Sequence, residues 1–227
     1  VVVDAGTGDW TAEVKPGWAG GSREQFRDRT TGTGVLWDST KHYADIGKSE
    51  VEGGGKPIPA ESDDAFRWPR QMWELVTGLT ETDRAHGELF SYRSIETDVL
   101  AFCMERVTGK RLPQLLSEEI WQMAGMEESA CMTVDSAGFA LADGGLNATL
   151  RDYGRFGQMI LEHGAGVIPP SWIEATRNGN HDIFKEPYTF SLPQGAYRNK
   201  FWIDDPGSRA ILTQGVFGQL IYITWAS

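Results

Sequence analysis

Cysteine is nearly missing from this chain of 227 residues: Cys103 and Cys131 are the two present. They form neither a Cys-x-x-Cys pair nor the disulfide framework that small secreted domains rely on, so a reduced, cytoplasmic chain is expected. Basic charge is also short. Lys and Arg number 21 against 32 Asp and Glu, a formal charge of −11, and the longest basic cluster is Lys110-Arg111. Neutralising phosphates takes clustered cations, so nucleic acid is not an expected partner. An anionic membrane surface is disfavoured on the same ground. No apolar run approaches the roughly 18 residues of a membrane-spanning helix. The opening residues VVVDAGTGDW lack a basic n-region and a leader-length apolar stretch, so no signal peptide is expected.

Metal and nucleotide signatures are missing too. His42, His86, His163 and His181 are scattered, without HExxH, HxH or Cys-pair spacing, so no metal is expected. GTGDW and TTGTG match neither a Walker loop nor a dinucleotide fingerprint, so no cofactor is expected. No carboxylate pair stands out, which leaves glycosidase chemistry without support.

What is present reads as a globular chain, 40% apolar and 23% charged, long enough for a sizeable core. Residues 1–37 are punctuated by glycine, with Val1-Val2-Val3 as a short strand. Residues 38–65 have loop composition, and a loop of that length fits a lid or binding loop. After Pro69, the spacing of Met72, Leu75, Val76 and Leu79 predicts a helix. The clearest helix runs from Ile95 to Thr108, with Ile95, Val99, Phe102, Cys103, Arg106 and Val107 on one stripe, Ser94 as N-cap and Gly109 as its stop. A second begins at Pro113, carries Leu115, Leu116, Glu119, Ile120 and Met123, and ends at Gly125. A third follows the capping-box-like Thr149-Leu150-Arg151-Asp152, with Tyr153, Phe156, Met159 and Ile160 buried and His163 capping its last turn. A short fourth starts behind Pro169-Pro170. The runs YRNKFWI, RAILT and GQLIYITWA predict an antiparallel meander, and the whole predicts an α+β arrangement.

Three places could carry chemistry. Tyr92 lies just before the best helix, where the helix N-terminus favours a tyrosinate or an anionic group; the plain alternative is a half-buried tyrosine with one hydrogen bond. Gly144-Gly145 is a tight backbone element before a helix, or a simple turn. Thr213 to Gln219 places glycines inside a strand pattern, which suits a bulge that offers a backbone N–H to an oxyanion, or an ordinary hairpin.

Taken together, SYRSIETDVLAFCMERVTGKRL, GFALADGGLNATLRDYGRFGQMILEHG and GVFGQLIYI resemble the serine beta-lactamase and penicillin-binding superfamily, over roughly residues 30–223. Within it they are most similar to the class C-like esterases and amide hydrolases, the nylon-oligomer hydrolases above all. The resemblance implies an antiparallel sheet flanked by helices, with a helical region at about 38–170 and sheet regions at about 1–20 and 197–227. It makes Tyr92 the general acid/base of a Tyr-x-Asn slot in which Ser94 stands for Asn. It places Thr213-Gln214-Gly215 in the Lys-Thr-Gly slot, with Gly215 against the substrate and the Val216 N–H as an oxyanion-hole donor. It puts Tyr43 on a loop over the cleft, where a second phenol can contact the substrate amide; apart from the resemblance, Asp45 in the same polar loop adds negative charge that suits a substrate with a free ammonium end. The family nucleophile lies in Ser-x-x-Lys, which the sequence lacks: Ser22 precedes Arg23-Glu24-Gln25 and Ser39 precedes Thr40-Lys41-His42. The chain is therefore expected to be an incomplete domain, without the nucleophile segment and a C-terminal helix. Three functions stay open: a serine hydrolase of small linear amides or esters, a carboxylesterase of short acyl esters, and a non-catalytic binding relative. The partner implied is a small-molecule substrate, and a homodimer is compatible with this reading.

Overall fold

Four short strands in chain order build the main sheet: β5 (Ala196–Arg198), β6 (Phe201–Ile203), β7 (Ile211–Gln214) and β8 (Leu220–Ile223), all antiparallel. The computed structural model describes residues 33–34, 71–79, 81–82, 84–205, 207, 210–215 and 217–225. Two small ribbons precede the sheet. β1 (Thr33–Gly34) pairs with β2 (Glu81–Thr82), and β3 (Cys131–Met132) with β4 (Leu146–Asn147). The helices are α1 (Met72–Gly78), α2 (Ile95–Thr108), α3 (Leu112–Leu116), α4 (Leu150–Leu161), α5 (Pro170–Thr176) and α6 (Tyr188–Ser191). The architecture is α+β, as expected.

The meander differs from the sequence reading at its start. YRNKFWI is not one run but a hairpin. Asn199 and Lys200 turn the chain at φ of 51° and 69°, so Tyr197 pairs with Trp202 and Arg198 with Phe201. Two successive left-handed residues give the tight turn whose twist suits a hairpin, here without the usual glycine.

Side chains alternate across the sheet. Ile203, Ile211 and Ile223 face α4 and α5, packing with Met159, Ile160 and Ile173. Tyr197 and Trp202 face the other way, into a cluster with Phe90, Tyr92, Phe184 and Tyr188. A third cluster joins α1 to α2 through Met72, Val76, Ile95, Val99, Phe139 and Leu141.

The helices correct several expectations. Ser94 is not an N-cap: it already has helical φ and ψ of −57° and −44°, and its side chain makes no capping bond. Val107 is 59% exposed, whereas Glu96 and Asp98 are fully buried. The helix expected from Pro113 to Gly125 breaks after Leu116 into a π turn, Ser117–Trp121, closed by the Gln122 N–H to Ser117 O bond at 3.0 Å. That wider turn rotates the apolar stripe, leaving Glu119 and Met123 exposed while Ile120 and Ala124 pack towards the sheet. His163 does not cap from the last turn of α4; it lies beyond the helix with φ of 55°. The Thr149 cap holds, its hydroxyl accepting from the Asp152 N–H at 3.2 Å, and Gly109 ends α2 at φ of 67°. Cys103 is half-buried, and burial pushes its thiol up to about 12. Cys131 is exposed.

Candidate functional site

Tyr92 lies in the irregular segment Phe90–Arg93 that leads into α2. The segment is anchored by the Phe90 N–H, which donates to Ile183 O at 3.0 Å. The Tyr92 N–H donates to the phenol oxygen of Tyr188 at 2.9 Å, a bond across 96 residues of sequence. The Tyr92 ring lies flat against Trp202, centroids 5.3 Å apart and planes 12° apart, and meets Tyr197 edge-on at 6.0 Å. Backbone and ring are thus fixed from two sides, one on α6 and one on the sheet. The position of the ring is therefore set in advance by its neighbours.

The next residues turn into the helix. Arg93 O accepts from the Glu96 N–H at 3.2 Å, and Ser94 O from the Thr97 N–H at 2.8 Å. Ser94 itself is 8% exposed. The first turn of α2 carries Glu96 and Asp98, both fully buried. Asp98 Oδ1 accepts from the Ala142 N–H at 2.9 Å and so ties the Ala-Asp-Gly-Gly loop to α2. Gly145 lies in that loop, its N–H on Leu141 O at 2.9 Å and its carbonyl accepting from Thr133 N–H at 2.8 Å.

Gly215 lies at the end of β7. Its N–H donates to Gln219 O at 2.8 Å and its carbonyl accepts from Gly218 N–H at 3.1 Å. The Gln219 Oε1 that accepts the Phe217 N–H comes within 2.5 Å of where a Gly215 Cβ would sit, so the turn closes on itself. The Gly215 N–H is therefore spent inside the turn and does not reach an oxyanion. Two links connect this turn to Tyr92: the Tyr92 ring stacks on Trp202, and Trp202 pairs with Leu212, three positions before Gly215. On the same sheet face, the Tyr222 hydroxyl donates to Asp204 Oδ2 at 2.8 Å, and that bond holds its phenol above the usual tyrosine range.

Of the six residues singled out from the sequence, Tyr92 and Ser94 share one segment, and Gly215 is reached through two strands. Tyr43, Asp45 and Val216 lie outside the described residues. Tyr188, Trp202 and Asp98 were missed. Trp202 and Tyr188 carried no local signal beyond being aromatic, and Asp98, buried beside Ile95 and Val99, reads in sequence as an ordinary surface acid. A shallow depression of about 410 Å³ between α1 and α2, lined by Trp73, Phe102 and Arg106 among others, includes none of the six. Among the described residues, no group of three His, Cys, Asp or Glu side chains is placed to hold a metal, and no helix is long and apolar enough to cross a membrane.

Comparison with known proteins bears on the same segments. The family model described as beta-lactamase matches residues 52–224. A 6-aminohexanoate-dimer hydrolase of Paenarthrobacter ureafaciens is 34% identical over 161 residues, covering 68% of this chain and 41% of the hydrolase. A solved structure of a candidate 6-aminohexanoate-dimer hydrolase from Bacillus anthracis superposes with a TM-score of 0.71 at 26% identity, over 91% of this chain and 53% of that one. A penicillin-binding protein homologue from Pyrococcus abyssi, at 14% identity and a TM-score of 0.55, shares the fold over 87% of this chain and 44% of its own. The chain thus spans about half or less of these relatives' lengths.

Proposed function

Because the chain belongs to the beta-lactamase family, we propose that it contributes the tyrosine side of a serine acyl-transfer site acting on a small linear amide or ester, such as a 6-aminohexanoate oligomer. The observation that carries this reading is Tyr92, held by Tyr188 and Trp202 at the start of α2. The nucleophile of the proposal is a Ser-x-x-Lys serine, which the 227 residues do not contain. Its hydroxyl attacks the substrate carbonyl and its proton passes to Tyr92 acting with the lysine. Collapse of the tetrahedral intermediate breaks the C–N or C–O bond as that proton moves to the leaving amine or alcohol. Water then attacks the acyl-enzyme and restores the serine. In this proposal the Val216 N–H stabilises the oxyanion, Ser94 and Gly215 border the substrate, and Tyr43 and Asp45 contact it.

Substrate choice follows from charge. Thr213 stands where the family carries a lysine, so a fixed beta-lactam carboxylate finds no cation there. Asp45, Glu50 and Glu52 suit a substrate with a free ammonium end. The identity to a 6-aminohexanoate-dimer hydrolase supports the linear-amide reading, and a short-chain carboxylesterase is its nearest variant. The missing Ser-x-x-Lys favours a second reading, a binding relative without catalysis.

The test uses the protein together with whatever sequence encodes its serine. Labelling of a serine by a fluorophosphonate probe supports the enzyme, and no labelling supports the binding relative. Tyr92→Phe is expected to lower turnover by about 10²–10⁴, the usual scale for loss of a general acid or base. Turnover within about threefold of wild type would refute its role. Among an amino-terminated linear amide, its N-acetylated form, a nitrophenyl ester and a cephalosporin, the first should give the highest kcat/KM. Preference for the cephalosporin would overturn the substrate class.

A further inference from the structure

We infer that Tyr188 is a positioning residue for Tyr92, setting where the Tyr92 phenol stands rather than touching substrate; the inference rests on the acid/base reading of Tyr92. Three observations carry it. The Tyr188 phenol oxygen is the acceptor for the Tyr92 N–H at 2.9 Å, so it fixes the backbone at the residue whose side chain does the chemistry. The Tyr188 ring cannot swing away freely, because it packs edge-on against Phe90 at 4.7 Å and lies against Phe184 at 5.7 Å and Trp202 at 5.9 Å. Trp202, which braces Tyr188, also carries the Tyr92 ring at 5.3 Å. One indole therefore references both the backbone anchor and the phenol.

The chemistry of the contact is specific. Tyr92 precedes the helix, so its N–H has no partner within the helical ladder. An unsatisfied N–H in an aromatic pocket pulls the segment towards water or another acceptor. Phenylalanine at 188 keeps the ring and its packing but removes the acceptor. The loss falls on the position of Tyr92 more than on the core. Displacing a reacting group by about 1 Å can cost a factor of about 100 in rate.

The experiment compares Tyr188→Phe, Tyr92→Phe and the double variant in the serine-bearing protein, with p-nitrophenyl butyrate as substrate. Deuterium exchange at the Tyr92 amide is measured on the same samples. Tyr188→Phe should lower kcat by about tenfold with KM within about twofold, and the Tyr92 amide should exchange at least about fivefold faster. In the Tyr92→Phe background, Tyr188→Phe should change kcat by less than about twofold, because the phenol through which it acts is gone. Unchanged kcat and exchange in Tyr188→Phe would overturn the inference. An equal loss in both backgrounds would also overturn it, since the effect would then be structural. If Tyr92→Phe keeps wild-type turnover, the acid/base reading fails, and the amide exchange alone decides whether Tyr188 anchors residue 92.

Discussion

Asp152 gathers four donors around a carboxylate that solvent does not reach. Oδ1 accepts from the Glu127 N–H at 2.8 Å and Arg155 Nη1 at 3.3 Å, and Oδ2 from the Glu128 N–H at 3.2 Å and the Thr149 hydroxyl at 2.9 Å. Burial pushes the carboxyl up, but the two amides, the hydroxyl and the guanidinium outweigh it, and the net direction is down. A depressed folded-state pKa stabilises the fold above the ordinary aspartate range near 4, and the contribution is lost as pH falls through the folded value. Asp152→Asn is therefore expected to melt several degrees below wild type at pH 7, with the gap closing as pH drops below about 4. Thermal melts of the two proteins across that range check it; a gap that widens on acidification contradicts the assignment.

At the scale of elements, the Gly144-Gly145 pair turns out to be asymmetric. A Cβ on Gly145 would stand 2.5 Å from Leu141 O and 3.1 Å from Thr133 O, both backbone atoms that cannot move aside cheaply. A Cβ on Gly144 would meet nothing within 4 Å. Gly145→Ala should cost about 1–3 kcal/mol, the scale of overpacking, whereas Gly144→Ala should be close to neutral; denaturant midpoints of both variants decide. The sequence left open whether this pair marks a close approach or a simple turn, and which glycine would matter. The same divide runs through the other elements. Local signals such as Thr149 three positions before Asp152, or Gly109 after an apolar stripe, were legible because their physics spans one turn. The π turn at Ser117–Trp121 and the Asn199-Lys200 hairpin were not, since neither carries the glycine or proline that marks a change of direction.

In the molecule as a whole, the aromatic cluster joins the segment that opens α2 to the sheet. Phe184, 1% exposed, stacks on Phe90 at 5.2 Å and meets Trp202 at 6.2 Å. Phe184→Ala should cost about 3–5 kcal/mol, the range for a buried phenylalanine, and an equilibrium denaturation curve measures it; a loss under about 1 kcal/mol would show that the cluster collapses around the gap without penalty. This cluster also explains why the candidate site was only half legible. Tyr92 announces itself by standing before a strong helix, but Tyr188 and Trp202 reach it from about a hundred positions further along, where nothing in their local sequence says what they touch.

That separation sets a clock on synthesis. Tyr92 leaves the ribosome 96 residues ahead of the phenol that accepts its N–H. At elongation rates of about 5–20 residues per second, the wait is roughly 5–20 s. Throughout it, Phe90 and Tyr92 lack the two later rings, Tyr188 and Trp202, that cover them in the finished fold.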